Sequence, residues 1–474
     1  MIYDHPLIGW VYRHSPVAAQ HALVSAYGGL KWLEEHGRVF RGYVAELERT
    51  QWWPRADLKG LQEERLRALI EHAYAHVPYY RRVMDEHKLT PADIHTGGDL
   101  YKLPVLTKQD IRRHWDELRA RNVPNRRVTM GRTGGTTGVP LKFTLDTARV
   151  IFDHALIYRH WSWAGFRPGD WHVILRGLVL VPTDRATRVY WRHDWVTRRI
   201  YLSGFHLARE TVASYADRLR AWAPKILAGY PSNLFALARF MEAAEMVAPV
   251  PAIFTSSEVV TPVERAVIER QFAGKVWDRY GTGERLVVSQ QCEHGRYHQN
   301  VEYGLLQVDD ECGEPCAPGA HGRLIHTGLT NLSMPLIRYV IEDMGHTLDD
   351  ACPCGRGLPL MGPVQGRKDD VILTADGRLM PRAGLDQIHE FVDNLERCQL
   401  VQERPGAVTV RVLPRPGFNA ADEAELKRQL ARRLGPDTQI EIELVEALEL
   451  TPTGKERFII SRLAADAFMA GLNG

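Results

Sequence analysis

Hydrophobic residues recur at helical spacing in the first part of the chain and stop at a proline. The repeat before Pro78 predicts an amphipathic helix that ends there, because the proline ring disfavours a helix interior. The residues on its apolar face are Leu61, Leu66, Leu69, Ile70 and Ala73. We therefore expect the first 130 residues to be mostly helical.

Between residues 208 and 285 the pattern alternates between helical repeats and short apolar runs. It predicts helices at 212–222, at 231–246 and after Thr261, and strands at 225–230, 252–256 and 275–280. Strands separated by helices indicate a parallel sheet with crossover helices. Polar residues after the strands should meet at one sheet edge, where open α/β sheets bind ligands; they are Tyr230, Ser256, Ser257, Glu258 and Tyr280 to Glu284.

Shorter strands and turns follow residue 300 and predict a small antiparallel β unit at 322–328 and 335–340. We place a domain boundary near Asp370, between an N-terminal domain of residues 1–369 and an α+β domain of residues 370–474. The smaller domain is predicted to have a hairpin turning at Asp376–Gly377, helices at 385–392 and after Asn419, and strands at 399–402, 408–412 and 439–444. The predicted fold class is α/β.

Composition excludes several classes of protein. The 474 residues include 60 basic and 58 acidic side chains, and the resulting net charge of +2 gives no reason to expect a nucleic acid or anionic membrane partner. No window of 18 apolar residues predicts membrane insertion, and the N-terminus lacks a signal-peptide pattern. Six cysteines are too few for a disulfide scaffold in a chain of this length, so we expect a cytoplasmic protein.

The segment from Met130 to Lys142 is rich in glycine and threonine. Its glycines allow backbone N–H groups to approach anionic oxygens, and its threonines add hydroxyl donors. It is not a Walker A motif, since Gly138 is followed by Val139 and Pro140. Taken alone, it fits a phosphate-binding loop and a plain turn between two strands equally well.

Four further segments make this loop more specific. They are Tyr280–Glu284, Arg338–Asp343, which would put a carboxylate after a strand, Gly366–Asp370 and Leu450–Arg457. In this order, with the glycine loop, they resemble the adenylate-forming superfamily of acyl-CoA synthetases, adenylation domains and luciferases. Three more segments resemble the phenylacetate-CoA ligase branch and its capsule-biosynthesis, CapK-like relatives: Val77–Tyr80, Ala228–Ser232 and Cys352–Arg356.

The resemblance implies a fold and a reaction. The fold is a large N-terminal domain with parallel sheets and a small antiparallel unit, followed by a mobile α+β domain. The reaction is ATP-dependent activation of a carboxylic acid as an acyl-adenylate, with release of pyrophosphate and transfer of the acyl group to a thiol, most simply coenzyme A. Transfer to an amine is an alternative, and a catalytically silent nucleotide-binding scaffold is a hypothesis of another class.

Residue roles follow from the same resemblance. Lys455 and Glu284 are the implied catalytic residues, Lys455 bridging the carboxylate and the α-phosphate and Glu284 holding Mg2+. Tyr280 would stack on adenine, Asp343 would bind the ribose, and Asp370 would be the hinge of the small domain. The implied nucleotide-binding set is Thr133, Gly134, Gly135, Thr136, Thr137, Gly138, Ser257, Glu258, Tyr280, Gly281, Thr282, Asp343 and Arg367.

Two positions depart from the family pattern, and the acid itself is not specified. The usual lysine after the loop's proline is Leu141 here, and Lys142 lies one place later. The hydroxyl of Thr282 is displaced by one residue, because Gly283 occupies its usual place before Glu284. Candidate residues for the acid pocket are His154, Tyr158, Trp161 and Tyr230, although aromatic side chains are common in any core.

Cysteine and histidine residues suggest a second site. Cys292 and His298 precede the pair Cys352 and Cys354 by some 50 residues, and a fold that joins them would complete a tetrahedral, structural Zn2+ site. Unrelated buried thiols are the simpler alternative. Cys312 and Cys316 form a competing pair, with His294 as a substitute ligand.

Overall fold

The structure is a computed structural model, and it describes most of the chain. The described residues are 6–35, 37–132, 141–176, 180–181, 187–207, 209–364, 371–375, 379–381, 385, 388, 392, 394–435, 437–450 and 457–463. They cluster into a larger unit of Met1–Val260, Arg265–Ile341 and Gly345–Pro363, and a smaller unit of Thr261–Glu264, Glu342–Met344 and Val364–Gly474. The division of the chain at residues 369 and 370 stays a prediction.

Helices make up the first part of the larger unit, as the hydrophobic repeat predicts. They are α1 (Pro6–His14), α2 (Val17–Glu35), α3 (Arg38–Thr50), α4 (Arg55–His76), α5 (Pro78–Glu86) and α6 (Lys108–Arg113). Pro78 begins α5 rather than only ending α4, because proline at a first helical position lacks an N–H that would be unpaired there anyway. Among the described helices, none combines the length and apolarity needed to cross a membrane.

A hairpin and a long helix lead from this helical region into the central sheet. The strands β1 (Val128–Arg132) and β2 (Lys142–Asp146) pair antiparallel, with Arg132 opposite Lys142. Helix α7 (Thr147–Trp163) follows directly, and its N-terminus is capped by the Asp146 carboxylate, which accepts a hydrogen bond from the Ala148 N–H at 2.9 Å. The glycine loop therefore begins and ends on paired strands.

The next elements of the chain, most of them in the larger unit, alternate between strands and helices before a run of short strands. They are β3 (His172–Arg176), β4 (Trp191–Asp194), β5 (Arg199–Ser203), α8 (Val212–Trp222), β6 (Ile226–Gly229), α9 (Pro231–Ala243), β7 (Ala252–Ser256), α10 (Pro262–Phe272), β8 (Lys275–Gly281), β9 (Val288–Gln291), β10 (Tyr297–Gln299), β11 (Gly304–Asp309), β12 (Gly322–Gly328), β13 (Tyr339–Gly345), β14 (Thr347–Leu348) and β15 (Leu360–Met361). Short 3-10 turns occur at Pro91–Asp93, Asp99–Lys102, Asn125–Arg127 and Gly204–His206.

The central sheet has ten strands in the order β14-β15-β10-β9-β8-β7-β6-β3-β5-β4. Its five inner strands, from β5 to β8, pair in parallel, which confirms the prediction of a parallel sheet with crossover helices. The alternation places α8 and α9 against the sheet, where apolar residues of both helices join one core with Val173, Leu227 and Ile253. A separate sheet has the order β11-β12-β13, and we call it the antiparallel unit because β11 and β12 pair antiparallel. Its last strand begins at Tyr339, later than the predicted residue 335.

The smaller unit has a hairpin, a four-stranded sheet and a helix. Its elements are β16 (Val371–Leu373), β17 (Leu379–Pro381), β18 (Leu395–Arg404), β19 (Ala407–Pro414), α11 (Ala420–Leu434), β20 (Gln439–Leu444) and β21 (Ile459–Ser461). The sheet order is β20-β19-β18-β21. Leu426, Leu430 and Leu434 of α11 are fully buried against it, as their spacing predicts. The turn at Asp376–Gly377 and most of the helix expected at 385–392 lie outside the described residues.

A buried ion pair joins α3, α7 and the segment before β11. Arg159 Nη1 lies 2.8 Å from Glu302 Oε1, and both side chains are fully buried. The same carboxylate oxygen accepts a hydrogen bond from Thr50 Oγ1 at 2.6 Å, and Arg159 also donates to the Leu47 carbonyl. Removal of either charged side chain would leave the other one buried without an opposite charge beside it.

We expect Arg159→Met to lower the free energy of unfolding of the larger unit by about 3 to 5 kcal/mol, because Glu302 would lose its counter-charge in the core. All 12 tryptophans of the chain precede residue 280, so urea denaturation followed by tryptophan fluorescence reports on this unit. The control is Arg55→Met, which removes an ion pair to Asp349, whose side chain is 79% exposed, and should cost under about 1 kcal/mol. Equal losses in the two variants would contradict the role assigned to Arg159.

Candidate functional site

The polar segments predicted to share a sheet edge do so. Strands β6, β7 and β8 are parallel neighbours, with Gly229 opposite Thr255 and Ser256 opposite Arg279. Tyr230 is the N-cap residue of α9, and Ser257 follows β7 with a φ of 73°. Left-handed backbone is strained in a residue with a side chain, and such strain concentrates at functional sites. The crevice beyond β6 to β8 is thus the candidate ligand site of the larger unit.

Tyr280 is held by a histidine that the sequence pattern did not indicate. The Tyr280 hydroxyl lies 3.3 Å from His326 Nε2, and the two rings meet edge to face at 80°. His326 is fully buried on β12, and burial lowers its pKa to about 3, so the imidazole is neutral near pH 7. This contact orients the aromatic ring implied to stack on adenine, and it joins the central sheet to the antiparallel unit.

Glu284 has a similar unpredicted partner. The hydroxyl of Tyr339, on β13, donates a hydrogen bond to Glu284 Oε1 at 2.9 Å, and both side chains are buried. Glu284 lies within a tight turn, in which the Arg285 N–H donates to the Thr282 carbonyl. Thr282 Oγ1 is buried without a hydrogen-bond partner among the described residues. The segment therefore presents a fixed carboxylate and a hydroxyl available to a ligand.

Asp343 lies inside a strand and not after one, so this prediction was wrong. The sequence predicted a carboxylate after a strand, but Asp343 lies within β13, which runs from Tyr339 to Gly345, and its side chain is buried. The strand continues past the expected end, and its buried residues Tyr339, Ile341 and Asp343 alternate with the partly exposed Val340 and Met344, as in a strand with one buried face.

The hairpin that carries the glycine loop explains one departure from the family pattern. Leu141, at the position of the usual lysine, is 2% exposed and packs with Phe143 and Leu145 in the core. Leu141 is therefore a core residue, while Lys142 beside it is exposed.

The implied phosphate ligands Thr133, Gly134, Gly135, Thr136, Thr137 and Gly138 lie outside the described residues, as do Arg367, Asp370 and Lys455.

Three of the candidate acid-pocket residues lie on α7. Tyr158 and Trp161 pack at the margin of an aromatic core that includes Phe166 and Phe254, and His154 is half-buried. Tyr230 is also half-buried, at the strand-end crevice. Their positions between α7 and the strand ends are compatible with a pocket, although Trp161 also has the contacts of an ordinary core residue.

Four cysteine and histidine side chains converge elsewhere in the larger unit. The Sγ atoms of Cys292, Cys352 and Cys354 and a ring nitrogen of His298 all lie within 4.8 Å of one another. Cys292 Sγ is 3.6 Å from Cys352 Sγ, and Cys354 Sγ is 3.4 Å from His298 Nε2. A tetrahedral zinc ion with Zn–S bonds of ~2.3 Å separates its ligand atoms by roughly 3.5 to 3.8 Å. The residues thus fit a closed zinc site.

The surroundings orient these ligands. His298 Nδ1 lies 3.4 Å from the Leu358 carbonyl, and donation to that oxygen would leave the Nε2 lone pair facing Cys354. The His294 N–H, rather than its side chain, contacts Cys292 Sγ at 3.4 Å. Cys312 is exposed and Cys316 contacts the His321 carbonyl, so the competing pair does not join the group within the described part of the chain.

Comparisons with known proteins find similar chains. Residues 372–462 match the family model of the CapK C-terminal domain. The chain is 26% identical to protein CapK from Staphylococcus aureus over 470 residues, 96% of this chain and 100% of that protein. It is 28% identical to a phenylacetate-coenzyme A ligase from Thermus thermophilus over 429 residues, 85% of this chain and 88% of the relative.

A solved structure supports the fold. The crystal structure of a 2-hydroxyisobutyryl-CoA ligase, in the postadenylation state and in complex with 2-HIB-AMP, superposes with a TM-score of 0.69 and covers 90% of this chain and 93% of the ligase at 21% identity. The mixed α/β architecture therefore resembles that of this ligase. The chain is thus similar to CapK and to phenylacetate-coenzyme A ligases over most of its length, and its fold is similar to that of a 2-hydroxyisobutyryl-CoA ligase.

Proposed function

We propose that this chain activates a carboxylic acid with ATP and transfers the acyl group to the thiol of coenzyme A. The observation that carries the proposal is the length of the match: a phenylacetate-coenzyme A ligase aligns with 85% of this chain, including the strand-end crevice. The crevice adds an oriented tyrosine at 280 and a buried, hydrogen-bonded carboxylate at 284.

The reaction has two displacement steps. A carboxylate oxygen attacks the α-phosphorus of ATP, the bond to the bridging oxygen breaks, and pyrophosphate leaves. The thiolate sulfur then attacks the acyl carbon, and AMP leaves with the oxygen that came from the acid. Lys455 would stabilise the charge that develops in the first step. Because Lys455 belongs to the smaller domain, its withdrawal about Asp370 would admit the thiol.

Residues from several segments of the chain would bind the nucleotide. Tyr280 would stack on adenine, Asp343 would bind the ribose with Arg367 near it, and the Thr282 hydroxyl would contact the α-phosphate. The backbone and side chains of the glycine loop, Ser257 and Glu258 would complete the binding site. Mg2+ held by Glu284 would supply positive charge to the phosphate oxygens.

The experiment is a screen of carboxylic acids with ATP and Mg2+, with AMP and pyrophosphate as readouts. We expect AMP and an acyl-CoA thioester to form in equal amounts when CoA is present. An amide-forming enzyme would instead release AMP with an amine and not with CoA. Acid-dependent release of ADP, or no acid-dependent AMP from a broad panel, would contradict the proposal.

Tyr339 provides a test within the crevice. We expect Tyr339→Phe to raise the Mg2+ concentration for half-maximal AMP formation roughly tenfold or more, because partners that orient a metal ligand contribute that much to affinity. The control is Tyr215→Phe, which removes a buried hydroxyl that donates to the Ser203 carbonyl at 2.8 Å, away from Glu284. A similar change of Mg2+ dependence in both variants would count against the role of Glu284.

We also propose that Cys292, His298, Cys352 and Cys354 hold a structural Zn2+ ion. All four ligand positions of a tetrahedral ion would be filled by protein, so the metal would take no part in the reaction. The support is the mutual approach of the four ligand atoms within 4.8 Å and the hydrogen-bonding position of His298 Nδ1. The ion would fasten the turn between β9 and β10 to the segment before β15.

A further inference from the structure

Three arginines surround one aspartate between α7 and β8. Arg279 Nη2 lies 2.6 Å from Asp153 Oδ1, and Arg285 Nη1 lies 3.6 Å from Asp153 Oδ2. The Tyr303 hydroxyl donates to Asp153 Oδ1 at 3.0 Å, and Arg149 lies one helical turn before Asp153 on α7. We call Arg149, Asp153, Arg279 and Arg285 the arginine cluster. It has three positive charges and one negative charge.

Arg149 is a buried guanidinium that lies over an aromatic ring. Its side chain is 1% exposed, and its guanidinium carbon lies 3.1 Å from the centre of the Tyr303 ring. Among the described residues, none accepts a hydrogen bond from its three nitrogen atoms. Burial lowers the pKa of Arg149 only to about 10, so the group remains charged near pH 7. A buried charge without a hydrogen-bond acceptor is costly, and an anionic ligand would remove that cost.

The aspartate does not neutralise the cluster. Burial alone would raise the pKa of Asp153, but the guanidinium groups of Arg279, Arg285 and Arg149 together hold it well below its usual value. Asp153 is therefore ionised and already shared between Arg279 and Arg285. Two positive charges remain for another anion, and the side chain of Arg285, 33% exposed, marks the open side of the cluster.

The cluster lies on the side of β8 opposite Tyr280, the residue proposed to stack on adenine. Successive residues of a strand point to opposite faces, so Arg279 and Tyr280 diverge. Tyr280 contacts His326 on β12, whereas Arg279 contacts Asp153 on α7. Helix α7 also carries the candidate acid-pocket residue His154, next to Asp153. The arginine cluster thus lies beside α7, the helix expected to line the acid pocket.

We propose that the arginine cluster binds a second anionic group, a carboxylate or a phosphate, on the acid that the enzyme activates, with Arg149 as the principal donor. This inference rests on the proposed function for the identity of the ligand. It restricts the substrate class to acids that carry a negative charge in addition to the reacting carboxylate. The bound anion would supply an acceptor for the Arg149 guanidinium, and the site would select against acids without a second charge.

The test compares binding of matched acids by isothermal titration calorimetry, without ATP. The pairs are dicarboxylates of three to eight carbons and benzene dicarboxylates, each with the monocarboxylate of the same skeleton, together with phosphate-bearing acids. We expect at least one doubly charged acid to bind roughly tenfold to a hundredfold more tightly than its partner. Arg149→Met should remove that preference. Arg285→Met, at a partly exposed position, should reduce the preference, and it serves as the test if Arg149→Met fails to fold.

The matched control is Arg113→Met, an exposed arginine of α6 that should keep the preference. ATP and pyrophosphate are titrated in parallel, and their affinities should not change in Arg149→Met. The proposal is overturned if no doubly charged acid outbinds its partner, if both cluster variants keep the preference, or if Arg149→Met weakens pyrophosphate binding instead. Preferential binding without acid-dependent AMP formation would support the anion site and contradict the proposed adenylation.

Discussion

Lys455→Ala should lower acid-dependent pyrophosphate release by about a hundredfold to a thousandfold, because a preorganised charge at the reacting phosphate is worth that much in comparable active sites. ATP affinity should remain largely intact, since the implied adenine and ribose contacts come from Tyr280 and Asp343 in other segments. The measurement is the rate of pyrophosphate release at saturating ATP, combined with equilibrium binding of ATP to both proteins.

The control for this substitution is Lys427→Ala, on the helix of the smaller unit. Lys427 is paired with Glu423 at 2.7 Å, its side chain is 44% exposed, and its loss should leave the rate unchanged. Transfer of the acyl group from a preformed acyl-adenylate to CoA should be less affected than its formation, because Lys455 would act in the first step. Unchanged pyrophosphate release in Lys455→Ala would remove the residue from the mechanism.

Cys352→Ser is expected to abolish zinc binding and to lower the thermal stability of the larger unit. Wild-type protein should contain about one zinc ion per chain, as a closed four-ligand site implies. Loss of the ion should lower the free energy of unfolding by at least about 3 kcal/mol, because metal binding stabilises only the folded arrangement of its ligands. The measurements are elemental analysis and thermal unfolding, before and after treatment with a chelator.

The control is Cys316→Ser, whose thiol lies outside the four-ligand group and whose zinc content should match the wild type. A disulfide is the competing chemistry, since Cys292 Sγ and Cys352 Sγ are neighbours, but their 3.6 Å separation is well beyond the ~2.05 Å of a disulfide bond. Zinc-free wild-type protein, or Cys352→Ser with full zinc content, would contradict the site.

Elements with strong local signals could be predicted closely from the sequence. Proline after a helix, apolar runs bounded by turns and the capping pattern of Thr261 and Glu264 predicted α8, β7 and the start of α10. The Thr261 N–H does donate to Glu264 Oε2, and the Glu264 N–H to Thr261 Oγ1. Such signals depend on residues a few positions apart, so the tertiary fold does not change them.

The partners of the functional residues could not be predicted in the same way. His326 and Tyr339 lie on β12 and β13, 46 residues after Tyr280 and 55 residues after Glu284. Their contacts depend on how the antiparallel unit meets the central sheet, and single polar residues on strands give no local signal of that packing. Asp343 illustrates the same limit, because the residues around it fit a strand end and a strand interior equally well.

The arginine cluster was also beyond prediction from the sequence. Arg149 and Asp153 follow helical spacing, which in isolation indicates an ordinary surface ion pair. Only the approach of Arg279, Arg285 and the Tyr303 ring shows that the pair is buried and that Arg149 lacks an acceptor among the described residues. The four cysteine and histidine residues of the candidate zinc site differ, because cysteine and histidine are the usual zinc ligands and their spacing in the sequence already suggested a site.

Isotope transfer shows whether the acid is activated by attack of its carboxylate on the α-phosphorus of ATP. A substrate acid labelled with 18O in its carboxylate is incubated with ATP, Mg2+ and CoA, and the AMP is analysed by mass spectrometry. We expect AMP that carries one 18O atom from the acid, with unlabelled pyrophosphate. Unlabelled AMP, or label recovered in phosphate released together with ADP, would contradict it.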